Sequence, residues 1–348
     1  RIVREWEDEL PSGVPTRALV SLSHMALTGA TGKPKAEPFM PLQVPSVLGS
    51  PVEYLIITSD AMAPQFQQLA DWKTQSGVPA VVRTLSFIRQ QYPFGADDGE
   101  RVRMLIRDAY ARWGTKWVLL GGDTEVIPER LAFNVSFYAV EHIAADIYYS
   151  CLDGNWNADG NSEYGEGFQD EFSPGDNSDL LPEVYVGRAP VSTTTEAQTF
   201  VNKTLQYEKT PAGGYENRWL LFAEVLFPHP YDGGNIDLDG AQMAEDLLNY
   251  TDLTPGLSVK RLYENYLDPS YRPGAVLESK AAVISELNTG YGLALHVGHG
   301  YRNSMSVNHE TLVNADASGL TNGNKLFNLY AIDCTSSAID FPCIGEAF

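Results

Sequence analysis

From Val52 onward the chain switches between two hydrophobic rhythms. Short unbroken apolar runs, rich in Val, Ile, Leu and aromatic residues, predict strands buried on both faces. Longer stretches with apolar positions three and four apart predict helices between them. Glu53–Thr58 reads as a strand, Ala61–Ser76 as a helix, Pro79–Thr84 as a strand and Gly99–Trp113 as a helix. Trp117–Leu120 is a buried strand running into Gly121-Gly122-Asp123. Asp-, Asn- and Gly-rich residues from Thr124 to Leu181 interrupt the order as an irregular region. It resumes with a strand at Glu183–Val186 and a helix at Thr195–Tyr207, then breaks at Pro211-Ala-Gly-Gly214. A second set follows: strand Trp219–Phe222, helix Asp237–Leu248, strand Ser258–Tyr263, helix Ala275–Asn288, and strands Tyr291–Val297 and Lys325–Ile332.

Strands alternating with helices predict an α/β fold with mostly parallel sheets. We expect a first α/β subdomain over residues 52–213, with an inserted loop at 146–166, and a second, catalytic one over 214–348. Residues 1–51 carry many Pro, Gly and Ser and little pattern, as expected of a linker or the end of a preceding propeptide or N-terminal domain.

At 348 residues and 43% hydrophobic, the chain has material for one large core or two modest ones. Its formal charge of -21 disfavours nucleic acid and anionic membrane surfaces as partners. No window approaches the run of about 20 apolar residues needed to span a bilayer. The opening Arg1-Ile-Val-Arg has neither an initiating Met nor a signal-peptide pattern, so an upstream segment is expected to have been removed or omitted. Three cysteines, Cys151, Cys334 and Cys343, leave at least one thiol outside any internal disulfide. Cys343, in Phe341-Pro-Cys-Ile-Gly-Glu-Ala-Phe348, reads as a buried small hydrophobe at the start of a helix.

The interrupting region has an ordered polar pattern of its own. Counting Asn155 as position one puts Asn157 at three, Asp159 at five, Gly160 at six, Asn161 at seven and Glu166 at twelve. That is the ligand rhythm of an EF-hand loop, with Gly at the sharp turn and a carboxylate at the end. Calcium is the expected structural ion, held by Asp153, Asn155, Asn157, Asp159, Asn161 and Glu166, with Asp146 a further oxygen source. Asn stands at two positions that are usually Asp, and no clear helices flank the loop.

The last two strands each run into reactive chemistry. Tyr291–Val297 leads to Gly298-His299-Gly300, and Lys325–Ile332 to Asp333-Cys334-Thr335-Ser336. Ligands of open α/β sheets gather beyond the carboxyl ends of parallel strands, so His299 and Cys334 on neighbouring strands would face one crevice. A thiolate attacks a carbonyl well, and one imidazole can both generate it and protonate the leaving amine. The main-chain N–H groups near Gly300 and Cys334 are the expected oxyanion donors. His296 makes His-x-x-His with His299, but on a strand the two point to opposite faces, unlike a helical zinc pair.

Gly298-His-Gly300, Ala331-Ile-Asp-Cys334 and Phe341–Phe348 resemble the active-site segments of the gingipain family of cysteine peptidases. Tyr54–Thr58, Asp71-Trp-Lys73, Trp117–Asp123, Asp146-Ile-Tyr-Tyr149 and Val186-Gly-Arg188 are similar to that family as well. The resemblance implies a caspase-like fold of two adjacent α/β subdomains and an endopeptidase with a Cys334/His299 dyad. It also implies that Glu224 supports the histidine, and that Asp237, with Asp239 as near rival, binds Arg or Lys before the scissile bond. Tyr301-Arg-Asn-Ser304 departs from the acidic segment of the gingipains. Family members continue well beyond the point that lies 14 residues after Cys334, so a C-terminal remainder of the same precursor is expected as a second chain. The implied product is secreted or at the cell surface, released from a zymogen, acting on protein or peptide substrates without an organic cofactor. A sorting peptidase or transpeptidase of the same family, and an inactive binding scaffold, are the alternatives.

Overall fold

The apolar runs pair side by side into two sheets in which every neighbour is parallel. This computed structural model describes residues 41–136, 139–167, 175–176, 178–250, 256–271 and 274–348, so most of the expected leading linker lies outside the described residues. The first sheet has the order β2-β1-β3-β6, from β1 (Tyr54–Thr58), β2 (Ala80–Thr84), β3 (Trp117–Gly121) and β6 (Tyr185–Ala189). Helices α1 (Ala63–Gln75), α2 (Leu85–Gln91), α3 (Asp98–Trp113) and α5 (Thr194–Lys209) connect and flank these strands. Their starts follow the sequence: Thr84 and Asp97 cap α2 and α3, and Thr193 closes a capping box with Glu196 on α5.

The region from Thr124 to Leu181 contains more order than its composition announces. The hairpin β4 (Leu131–Ser136) with β5 (Ala139–Ala144) and the short α4 (Ile147–Ser150) lie within it. The strand expected at Glu183–Val186 starts two residues later, because Glu183 instead accepts the Leu152 N–H through its carboxylate.

The second sheet has the order β11-β10-β7-β12-β16. Its strands are β7 (Arg218–Ala223), β10 (Ser258–Tyr263), β11 (Ala275–Leu277), β12 (Leu293–Val297) and β16 (Asn328–Ile332). Between β7 and β10 come β8 (Val225–Phe227), β9 (Leu238–Asp239) and α6 (Gly240–Tyr250). The helix expected from Ala275 is split: Ala275–Leu277 joins the sheet edge, and Ser279 caps α7 (Lys280–Thr289). After β12 the chain forms a small antiparallel sheet of β13 (Gly300–Tyr301), β14 (Ser304–Val307) and β15 (Glu310–Val313), then α8 (Asn314–Ser318). A last turn of helix, α9 (Ile344–Ala347), follows β16.

Both faces of the second sheet are covered, as a parallel sheet requires. Leu220 and Phe222 pack with Val283 and Leu287 of α7 on one side. Leu221 and Ala223 pack with Ala241, Ala244 and Leu248 of α6 on the other. In the first sheet, Ile56 meets Phe66 and Leu69 of α1 and Ala197 and Val201 of α5. No described helix is long and apolar enough to cross a membrane.

Candidate active site

β12 and β16 are hydrogen-bonded neighbours with Val297 opposite Ile332. His299 and Cys334 each follow two residues later, so equal offsets on paired strands bring them to one end of the sheet. Gly298 closes the junction, its N–H donating to the Ile332 carbonyl. Cys334 is exposed, whereas Cys151 and Cys343 are buried, with burial pushing both of those thiols up. Thr335, next to the thiol, sits at φ 55, a left-handed conformation that a β-branched residue adopts only under constraint. Its hydroxyl oxygen accepts the Arg302 N–H at 3.3 Å, tying the turn to the strand after His299.

No side chain fits at Gly300: a Cβ there would lie 2.7 Å from the Asp333 carboxylate and 2.8 Å from the Cys334 carbonyl. The main-chain N–H of Cys334 has no partner among the described residues. A cavity of about 870 Å³ opens beside this turn, lined by Tyr301, Arg302, Asp333, Thr335 and Phe341 and, from the β4–β5 hairpin, by residues 141–144.

His299 Nε2 lies 3.0 Å from the Leu226 carbonyl, an atom that can only accept, so the proton resides on Nε2 and the lone pair on Nδ1. The ring also rests against Phe227, edge to face at 5.9 Å, and His229 at 4.5 Å. Leu226 thus holds the ring, through its carbonyl. Glu224 does reach His299, but at the main chain: its Oε2 accepts the His299 N–H at 2.9 Å. It is fully buried, and burial, reinforced by Glu264 and opposed by that N–H, pushes its carboxyl up to about 8. Burial thus favours its uncharged form, and its contact with His299 is to the backbone and not to the ring. No pattern in the sequence marks Leu226, because any residue supplies a carbonyl.

Asp237 and Asp239 separate clearly. The helix begins at Gly240, three residues after Asp237, and Asp239 caps it by accepting the Ala241 N–H at 2.9 Å. Asp239 also accepts from Tyr271 Oη at 2.7 Å and Asn265 Nδ2 at 3.3 Å. Asp237 is exposed, and its N–H donates to the carbonyl of Phe227, the residue packed on His299.

In the acidic loop the structure gathers part of the expected ligand set. Asp159 Oδ2 and Glu166 Oε2 both accept from Asn161 Nδ2, at 2.9 and 2.7 Å, so two carboxylates converge on one donor. Asn157 Oδ1 is buried without a partner among the described residues, and Gly160 takes φ +73 at the sharp turn. The carboxylate and amide oxygens of Asp159, Glu166 and Asn157 are of the kind a hard cation takes, and here the Asn161 amide nitrogen stands where the two carboxylates converge. Asn155 Oδ1, by contrast, accepts the Asn157 N–H in a local turn, and the Asp153 carboxylate groups with Cys151 and Asp179. Asp146 is taken by Arg188, with two contacts of 2.7 Å. Asp176, ten residues past Glu166 and not marked by the loop rhythm, pins the loop by accepting from Ala158, Gly165 and Glu166.

Two parallel sheets flanked by helices, with a histidine and a cysteine leaving adjacent strands, define a caspase-like α/β architecture. The chain belongs to Peptidase family C25, the gingipain family, which it matches over residues 48–348. Among solved structures it is similar to the complex of Porphyromonas gingivalis RgpB pro- and mature domains, at 20% identity and TM-score 0.59, covering 85% of this chain and 59% of that one. It is similar also to the Arg-specific cysteine proteinase gingipain R (RgpB), at 20% identity and TM-score 0.60, covering 89% and 60%. A third structure, described as a protease, shares 18% identity at TM-score 0.55 over 87% and 57%. The chain thus spans about three fifths of the length of the first two chains it matches. No curated protein sequence matches it.

Proposed function

We propose that the protein is a cysteine endopeptidase in which Cys334 is the nucleophile and His299 the acid–base. The in-register pairing of β12 with β16, which delivers both residues to one strand end, carries this reading. With Nε2–H held by Leu226, Nδ1 takes the thiol proton, and the thiolate attacks the scissile carbonyl. The unpartnered Cys334 N–H, with Gly300 as the expected second donor, receives the oxyanion. His299 then protonates the leaving amine and activates the water that hydrolyses the thioester. Thiol–imidazole contacts are often loose before substrate arrives, in keeping with a His299 ring held by Leu226 here.

Asp237 is the proposed partner of an Arg or Lys side chain at the cleavage position, since it stays exposed beside the Phe227–His299 contact while Asp239 is committed to its own structure. The Arg specificity of gingipain R supports that choice. Calcium is proposed for Asn157, Asp159, Asn161 and Glu166, where it would neutralise converging carboxylates and fix the loop. A calcium-fixed peptidase suits an extracellular or cell-surface setting, and the RgpB pro- and mature-domain complex supports a pro-domain type of partner for the precursor.

Fluorogenic peptides ending in Arg, Lys, Asn, Asp or Leu test the reading on the full-length protein. Cleavage after Arg or Lys is expected, with Cys334→Ala reducing it by at least about 1,000-fold. Asp237→Asn is expected to lower kcat/KM for Arg peptides by about 10–100-fold, as loss of a charge-assisted contact does. Asp239→Asn should lower the melting temperature instead. Undiminished turnover in Cys334→Ala would remove the mechanism.

A further inference from the structure

Beneath the two strand ends lies a pair of ionisable groups that the proposed chemistry does not use. His296, in β12, is fully buried, and the Asp333 side chain, between β16 and Cys334, is 4% exposed. Asp333 Oδ2 stands 3.3 Å from His296 Nδ1, an ion-pair distance without hydrogen-bond geometry, and neither atom has a hydrogen-bond partner among the described residues. His296 Nε2 donates to the Ser306 carbonyl at 2.9 Å, while the Ser306 N–H donates to the His299 carbonyl at 2.8 Å. Ser336 Oγ donates to Asp333 Oδ1 at 2.5 Å. One side of this cluster therefore grips the main chain at His299, and the other grips the turn that carries Cys334.

The two glycines flanking His299 show how tightly the cluster presses on the site. A Cβ at Gly298 would lie 2.5 Å from His296 Nε2, and one at Gly300 2.7 Å from the Asp333 carboxylate. Burying a histidine and an aspartate carries a desolvation cost that apolar residues of similar volume would avoid. His296 is anchored through Nε2 and Asp333 through Oδ1, so their two facing atoms are held at ion-pair distance by contacts on either side, as buried polar groups lock geometry through the bonds they do make. Resting on the reading of Cys334 and His299 as nucleophile and base, we propose that the His296–Asp333 pair is a positioning unit that sets the separation and aim of the thiol and the imidazole.

The experiment uses the full-length protein with Asp333→Asn, His296→Gln and the double variant. In the double variant one side-chain amide, at position 296, can donate to Ser306 and accept from the other, at position 333, so the contacts are rebuilt without charge. Kinetic constants are taken per folded molecule, with the folded fraction read from the thermal unfolding curve. A displacement near 1 Å costs about 100-fold in rate, so each single variant is expected to lose about 10–100-fold in kcat with KM within about 2-fold. Alkylation of Cys334 by iodoacetamide should slow in the single variants and shift to higher pH, since a thiol parted from its base behaves as a free one. The double variant is expected to recover most of both losses. Single variants with wild-type kcat per folded molecule and only a lower melting temperature would overturn the proposal, as would a double variant no better than the singles. A wild type that cleaves nothing, or a Cys334→Ala that still cleaves, would instead overturn the underlying peptidase reading.

Discussion

Both sheets send their parallel strands toward loops rich in Gly and Asp, and a cavity of about 860–870 Å³ opens near each end, yet the polar groups at the first end are engaged with the protein and those at the second are not. At the end of β3, Arg188 donates to the carbonyls of Gly122 and Ile127 at 2.8 and 2.6 Å and clasps Asp146. Phe66 closes over Gly121, where an added Cβ would be 2.8 Å from its ring. The Thr58 hydroxyl donates to the Gly121 carbonyl, and the Asp123 N–H donates to the Val191 carbonyl. These groups, which could otherwise meet a ligand, are already engaged with the protein. At the corresponding end of the second sheet, Cys334 is exposed, its N–H is unpartnered among the described residues and a cavity lies beside it. The same architecture thus yields two different strand ends, according to whether the polar groups there are tied to the protein or left free.

Breaking the contacts at the first end should cost the most stability. Arg188→Met leaves Asp146 without its partner and two carbonyls without donors, a loss of about 3–5 kcal/mol for a buried pair. That corresponds to a melting temperature about 10 °C lower. Turnover per titrated Cys334 should nevertheless match wild type, which differential scanning calorimetry with active-site titration would check. Equal losses of activity and stability would show that the two ends are not separable.

A smaller effect is expected at the second end, from Glu224. Its carboxyl is pushed up from an ordinary 4.5 to about 8, so between those values the folded chain keeps a proton that the unfolded chain has released. Stability from this group is therefore full below about pH 4.5 and withdrawn as pH climbs toward 8. The uncharged Glu224→Gln should lose about 5 °C less in melting temperature between pH 5 and pH 8. Parallel curves for the two proteins would mean that Glu264 and Glu278, also raised by burial, carry the dependence.

The acidic loop belongs with the first sheet and should respond least. Chelation is expected to lower the melting temperature by about 3 °C in wild type and not in Asp159→Asn, with terbium luminescence reporting the same site. Identical melting with and without chelator would remove calcium from the reading.

The sequence made the buried strands easy to place, because a strand covered on both faces must be apolar throughout; Trp117–Leu120 reads as one, and Trp117–Gly121 is one, buried from Val118 on. Short half-exposed strands were not legible: Ala275–Leu277 looks helical beside α7, and the β4–β5 hairpin hides among Asp and Asn. At the site, residue types that must be particular were visible, as with Cys334 and His299. Groups defined only by position were not. Leu226 acts through its carbonyl, Glu224 meets a main-chain N–H and not a ring, and the His296–Asp333 contact depends on a strand register set far away in the chain.

That register has a consequence for how the protein is made. β12 lies against β7, with Leu293 opposite Trp219, and Glu224 reaches across 75 positions to His299. Pairings so remote in sequence form late and slowly, since long loops must close before any contact repays them. A chain still emerging from the ribosome holds its thiol and its imidazole apart. The proposed dyad therefore exists only in the finished sheet, since a chain that stops short of β16 lacks both the thiol and the strand that places it.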